Sequence, residues 1–145
     1  MRAFRFKLDT LLRVRQLRED QARLELARLL NTLAETRQAL TDSMTLKAKL
    51  LAAWHQALEN SLSGADYQLF QNYWGFLQQS IAALGEDIKR QEGQIQSQRE
   101  KLVKLSQERR LLEKLKRKKM ISFKREQAAQ MQKEADEIAL LRRTL

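Results

Sequence analysis

Few residues in this chain could carry out chemistry. His55 is the only histidine in 145 residues, and there is no cysteine. A disulfide framework, a thiolate nucleophile and a thiolate metal site are therefore excluded. His55 lies one step beyond Trp54, which belongs to the apolar stripe described below, so its ring is expected to face solvent. No pair of carboxylates is placed to converge on one cleft. No glycine-rich phosphate loop follows a strand, because there is no strand pattern to follow. An enzyme is not expected, nor is any cofactor or metal. What remains is recognition, and two groups of residues could provide it. Lys116, Arg117, Lys118 and Lys119 form a cationic run that could neutralise phosphates or acidic side chains. Leu50, Leu69, Tyr73 and Phe76 add apolar bulk beside Trp54 and Leu77, as protein-binding anchors do.

The elements that must hold these groups are helices. Apolar residues recur at alternating steps of three and four along Leu26, Leu30, Leu33, Arg37, Leu40, Met44, Lys47, Leu51, Trp54 and Leu58. A second series runs through Tyr67, Phe70, Trp74, Leu77, Ile81, Leu84, Ile88, Gln91, Ile95, Gln98, Leu102, Leu105, Arg109 and Leu112. That spacing is a coiled-coil seam. Between the series lies Asn-Ser-Leu-Ser-Gly-Ala-Asp at 60–66. Gly64 there suits a left-handed turn, and Ser63 with Asp66 resembles a helix N-terminal cap pair. The reading is a single all-α domain, a long antiparallel two-helix coiled-coil hairpin. Helix 1 is expected over about 3–60, the turn at 60–66 and helix 2 over about 66–144.

If positions whose numbers sum to 128 face each other, Leu58 meets Phe70, Trp54 meets Trp74, Leu51 meets Leu77 and Leu33 meets Ile95. Arg37 then falls opposite Gln91. A stutter is expected between Leu17 and Leu26, where the apolar phase slips. The basic run should disrupt the seam beyond Leu112. Gly75, Gly85 and Gly93 lie inside helix 2, where they would ease bending or admit a close partner backbone. Residue 1 falls near position 127, so the second helix extends about 18 residues past the first. This extension carries Met131, Ile138 and Leu141 along one side, and an uncovered apolar stripe calls for another protein.

The net charge is +10, and it is segregated. Residues 1–18 hold six bases and one acid, residues 106–125 nine bases and two acids, and the rest of the chain is slightly acidic. The hairpin brings the two basic segments side by side, which favours an acidic partner and a salt-sensitive attraction. A nucleic-acid-binding coiled coil is the alternative from another class, but only Phe123 interleaves the basic run as a stacking ring. Self-association through the overhang is a third possibility. No window reaches the roughly 18 apolar residues of a membrane span, and the N-terminus lacks the apolar run of a secretion signal. Membrane association is expected to be peripheral.

The sequence resembles the FliJ family, the coiled-coil stalk proteins of bacterial flagellar type III export. The resemblance is carried by Phe4-Arg5-Phe6-Lys7-Leu8-Asp9-Thr10-Leu11-Leu12-Arg13-Val14-Arg15 and by Glu19 to Ala27. It continues in Leu112-Glu113-Lys114-Leu115-Lys116-Arg117-Lys118-Lys119, then Glu126-Gln127-Ala128 and Gln132 to Ala139. It implies a fold similar to the central stalk subunit of rotary ATPases. It also implies that the end bearing the termini enters the pore of the hexameric flagellar export ATPase. Arg13, Lys116, Arg117, Lys118, Lys119, Met131 and Ile138 would make that contact. The other part would bind the cytoplasmic domain of the membrane export gate through Leu50, Trp54, Tyr73, Phe76 and Leu77, with Ser43 and Lys47 on the same face. Export chaperones are further implied partners; nucleic acid is not. The implied location is cytoplasmic, peripheral on the cytoplasmic face of the cell membrane. Injectisome stalk proteins are a close alternative.

Overall fold

The computed structural model describes residues 2–144. Strong helix formers dominate the composition and proline is absent, so nothing interrupts a long helix once it has started. α1 spans Asp9–Leu58 and α2 spans Gly64–Thr144, with no strand among the described residues. The two helices pack against each other as a helical hairpin. Two compact units are distinguished, Ala22–Lys101 and the combination of Met1–Gln21 with Leu102–Leu145. They are called the central and terminal units below.

The turn in the central unit differs from the expectation in one respect. Gly64 is the first residue of α2, and no glycine takes a positive φ among the described residues. The left-handed turn is unnecessary because Asn60 to Ser63 already leave the helix with side chains that compete for backbone groups. The cap pair does form. Asp66 N–H donates to Ser63 Oγ at 3.2 Å, and Ser63 N–H donates to an Asp66 carboxylate oxygen at 3.4 Å. Two otherwise orphaned donors at the start of α2 are thereby satisfied.

The central seam on α2 follows the expected series, with Leu77 and Ile95 buried and Phe70, Trp74, Ile81, Leu84, Ile88, Gln91 and Gln98 half-buried. Tyr67 is the exception and is exposed. On α1 alternate positions are displaced by one residue. Buried or half-buried positions run through Ala22, Leu26, Leu29, Leu33, Thr36, Leu40, Ser43, Lys47, Leu50, Trp54 and Ala57. Leu30, Arg37, Met44, Leu51 and Leu58, expected in the seam, are exposed. Close approach of two helices favours small side chains opposite large ones, and Thr36, Ser43 and Ala57 are the smaller members of each neighbouring pair. Gln91 accordingly meets Thr36, donating to its Oγ at 3.0 Å, while Thr36 donates to the Thr32 carbonyl. Arg37 lies outside the seam and pairs with Glu92 at 2.9 Å.

None of Gly75, Gly85 and Gly93 is approached closely by the chain. A Cβ added at any of them meets no heavy atom within 4 Å. Gly85→Ala is therefore expected to stabilise the hairpin by about 1 kcal/mol, the helix-propensity difference with no steric cost. A thermal melt followed by circular dichroism checks this, with a midpoint a few degrees higher expected.

In the terminal unit, helix 1 starts later than position 3. Phe4 and Phe6 are half-buried while Ala3, Arg5 and Lys7 are exposed. This alternation is the period of an extended segment. Phe4 packs on Phe123 with ring centroids 5.5 Å apart, and Gln127 Nε2 donates to the Arg2 carbonyl at 3.0 Å. Met1, expected opposite position 127, lies outside the described residues. The seam does not slip between Leu17 and Leu26. Leu17 and Leu24 are exposed, and the buried positions are Leu12, Glu19 and Ala22. Nor does the basic run end the seam, because Lys116, Phe123 and Gln127 remain half-buried. Beyond Gln127 every described residue is exposed, as expected for an overhang.

Candidate docking surfaces

The central unit carries an aromatic ladder whose geometry follows from helical spacing. Trp54 stacks on Phe70 at 4.2 Å between ring centroids, and Tyr67 lies tilted by 54° against Trp54 at 5.6 Å. Phe70 stacks in turn on Trp74 at 5.7 Å. Trp54 therefore meets Phe70 and not Trp74, about one helical turn from the expected pairing. The face of Trp74 receives Lys47 Nζ at 4.6 Å from its centroid, a cation–π contact. Lys47 is thus held by the seam and is less available as a free surface charge.

Beside this ladder an open apolar groove is lined by Leu50, Ala53, Trp54, Ala57, Leu62, Asp66, Leu69, Phe70 and Tyr73. Three of the five residues expected at the export-gate surface, Leu50, Trp54 and Tyr73, share it. Leu50 is a half-buried seam position and not part of the surplus beside the seam. Phe76 lies outside the groove but stacks on Tyr73 with ring planes 11° apart. Both are accessible, Tyr73 at 42% and Phe76 at 62%. Leu77 is 3% exposed and offers a partner only the packing beneath the surface. His55 is exposed, as expected.

The terminal unit contains the other expected residues. It holds nineteen bases and nine acids, while the central unit holds nine of each, so the whole net charge of +10 belongs to the terminal unit. Its cations have different roles. Lys116 is half-buried and donates to Asp9 at 2.9 Å, and the exposed Arg13 reaches the same carboxylate at 3.4 Å. Arg15 pairs with Glu108 at 2.9 Å. Arg117, Lys118 and Lys119 are exposed and have no salt-bridge partner among the described residues. Met131 and Ile138 are also exposed, at 57% and 53%. Met131 lines a shallow groove with Arg2, Phe123 and Gln127.

The bond from Lys116, reinforced by the charges of Lys116 and Arg13, holds the Asp9 carboxyl below its ordinary value of 3.8. A carboxylate depressed on folding contributes stability that is complete above the ordinary value and is lost as pH falls through the folded value. Asp9→Asn is thus expected to lower stability at neutral pH. The gap from the unsubstituted chain should narrow as pH falls below the ordinary value of 3.8 and the native carboxyl protonates. Urea denaturation across that range measures it.

One polar cluster gives no apolar signal in the sequence. Glu19, 1% exposed, accepts from Arg109 Nε and Nη2, and Arg109 Nη1 also donates to Glu113 at 2.8 Å. These bonds, that to Glu19 foremost, raise the guanidinium pKa above the ordinary arginine value. Glu19 and Arg109 are numbered so that the sum-of-128 register places them opposite each other. A search for complementary charges across that register would have found them.

The family described as Flagellar FliJ protein matches the chain over residues 4–143. No curated protein and no solved structure matches it.

Proposed function

Because the chain belongs to the flagellar FliJ protein family, whose members are associated with flagellar export, we propose that it is a non-enzymatic stalk. It couples the export ATPase hexamer to the cytoplasmic domain of the membrane export gate and assists export chaperones. The observation carrying this reading is the separation of recognition chemistry between the two units. The central unit is neutral and presents an aromatic groove, whereas the terminal unit holds all the net charge and an uncovered helix end. Two surfaces so different in chemistry suit two different partners.

In this reading Arg13, Arg117, Lys118 and Lys119 contact the ATPase, with Met131 and Ile138 filling an apolar part of its pore. Lys116 braces the seam behind them. Leu50, Trp54, Tyr73 and Phe76 contact the export gate over the floor provided by Leu77. Among the described residues no helix is long and apolar enough to cross a membrane, and these partners hold the protein at the cytoplasmic face. The test is sedimentation of the purified ATPase, alone and with the full chain, beside calorimetric binding to the gate domain. A shift of the ATPase toward hexamer together with saturable gate binding is expected. No change in either would overturn the proposal.

A further inference from the structure

The terminal unit has a second exposed feature, an aliphatic strip that the ATPase reading does not use, although its cationic edge, Lys118 and Lys119, is shared with that reading. Leu8 and Leu115 line one groove together with Lys119 and Ser122, so they mark the same side of the helix pair. Leu11, in the first turn of α1, follows Leu8 by three residues, and Leu111 lies one turn before Leu115 on α2. All of these apolar side chains are exposed, Leu111 at 68%. Along the same flank of α2, Lys118 follows Leu115 by three residues. The result is a strip of aliphatic side chains edged by lysines, in a unit that carries the whole net charge of the chain.

We propose that this face docks directly on an anionic lipid surface. Alkyl side chains sink into the headgroup boundary while neighbouring lysines extend toward the phosphates. Charge complementarity selects an anionic surface over a neutral one. The aliphatic residues select lipid over nucleic acid, since a phosphate backbone leaves Leu11, Leu111 and Leu115 without an apolar partner. The aromatic rings of the same groove, Phe4, Phe6 and Phe123, are half-buried, and Phe4 is packed on Phe123, so they leave little open face to stack on a base. The contact is additional to membrane association through protein partners and does not depend on the stalk reading.

Flotation of the full chain with vesicles of phosphatidylcholine, with and without phosphatidylglycerol, tests the proposal. Binding only to the phosphatidylglycerol vesicles, released by salt, is expected. Leu111→Ser combined with Leu115→Ser should weaken it about tenfold. Lys118→Gln combined with Lys119→Gln should weaken it about 25-fold, about fivefold per cation. Helix content and thermal midpoint of each variant show that the fold is retained, and Leu111→Ser alone serves if the double variant unfolds. The proposal is overturned if no vesicle floats the protein, or if neutral vesicles float it equally. It is also overturned if the folded leucine variant binds as the unsubstituted chain does, which assigns the face to polyanions such as nucleic acid.

Discussion

Replacing Arg109 by methionine is expected to destabilise the hairpin by about 4 kcal/mol, the usual consequence of removing one member of a buried ion pair. The substitution withdraws the guanidinium from Glu19, whose carboxylate has almost no access to water. It also releases Glu113, which is only partly buried. The reverse change, Glu19→Gln, should cost less, about 2 kcal/mol, because Arg109 keeps Glu113 and some solvent contact. Replacing both Glu19 and Arg109 by leucine should recover most of the loss, since apolar residues of similar size can fill such a layer. Urea denaturation of Arg109→Met, Glu19→Gln and the variant carrying both of these substitutions forms a thermodynamic cycle. Purely additive losses would show that the two side chains do not act as a pair.

Alanine at both Tyr73 and Phe76 is expected to weaken binding to the export-gate domain by at least 100-fold, about 1.5 kcal/mol or more per ring. Stability should change by less than about 1 kcal/mol, because both rings are exposed, Tyr73 the less so, and they stack on each other. Leu77→Ala is the contrasting substitution. Its side chain is buried in the seam, and its loss should cost about 2–5 kcal/mol of stability. Any fall in gate binding by that variant reports unfolding, not a lost contact. Calorimetric titration beside a thermal melt separates the two effects.

The hairpin was legible because apolar spacing alone identifies a coiled-coil seam, and on α2 nearly every chosen position lies in it. On α1 the same criterion selected Met44 and Leu58 over Ser43 and Ala57, because it ranks side chains by hydrophobicity, and it has nothing to choose by between Leu29 and Leu30 or between Leu50 and Leu51. The packed seam ranks them by volume against the opposing ring or leucine. Glu19 and Ala22 were misread as a phase slip for the same reason, one being charged and the other small. The extended segment before Asp9 was missed although Phe4 and Phe6 alternate with Arg5 and Lys7. Of the candidate surfaces, the exposed Tyr73 and Phe76 were legible as surplus to the seam. The groove shared by Leu50, Trp54 and Tyr73 was not, since it depends on a ring register displaced by a turn.

The central claim is that two surfaces of different chemistry serve two different partners. Analytical ultracentrifugation of the export ATPase, mixed in turn with the full chain, the Tyr73→Ala/Phe76→Ala variant and a chain ending at Arg125, tests it most directly. The full chain and the aromatic variant should promote the hexamer equally, and the shortened chain should fail to promote it. Promotion by the shortened chain at the level of the full chain would contradict the account, as would loss of promotion in the aromatic variant.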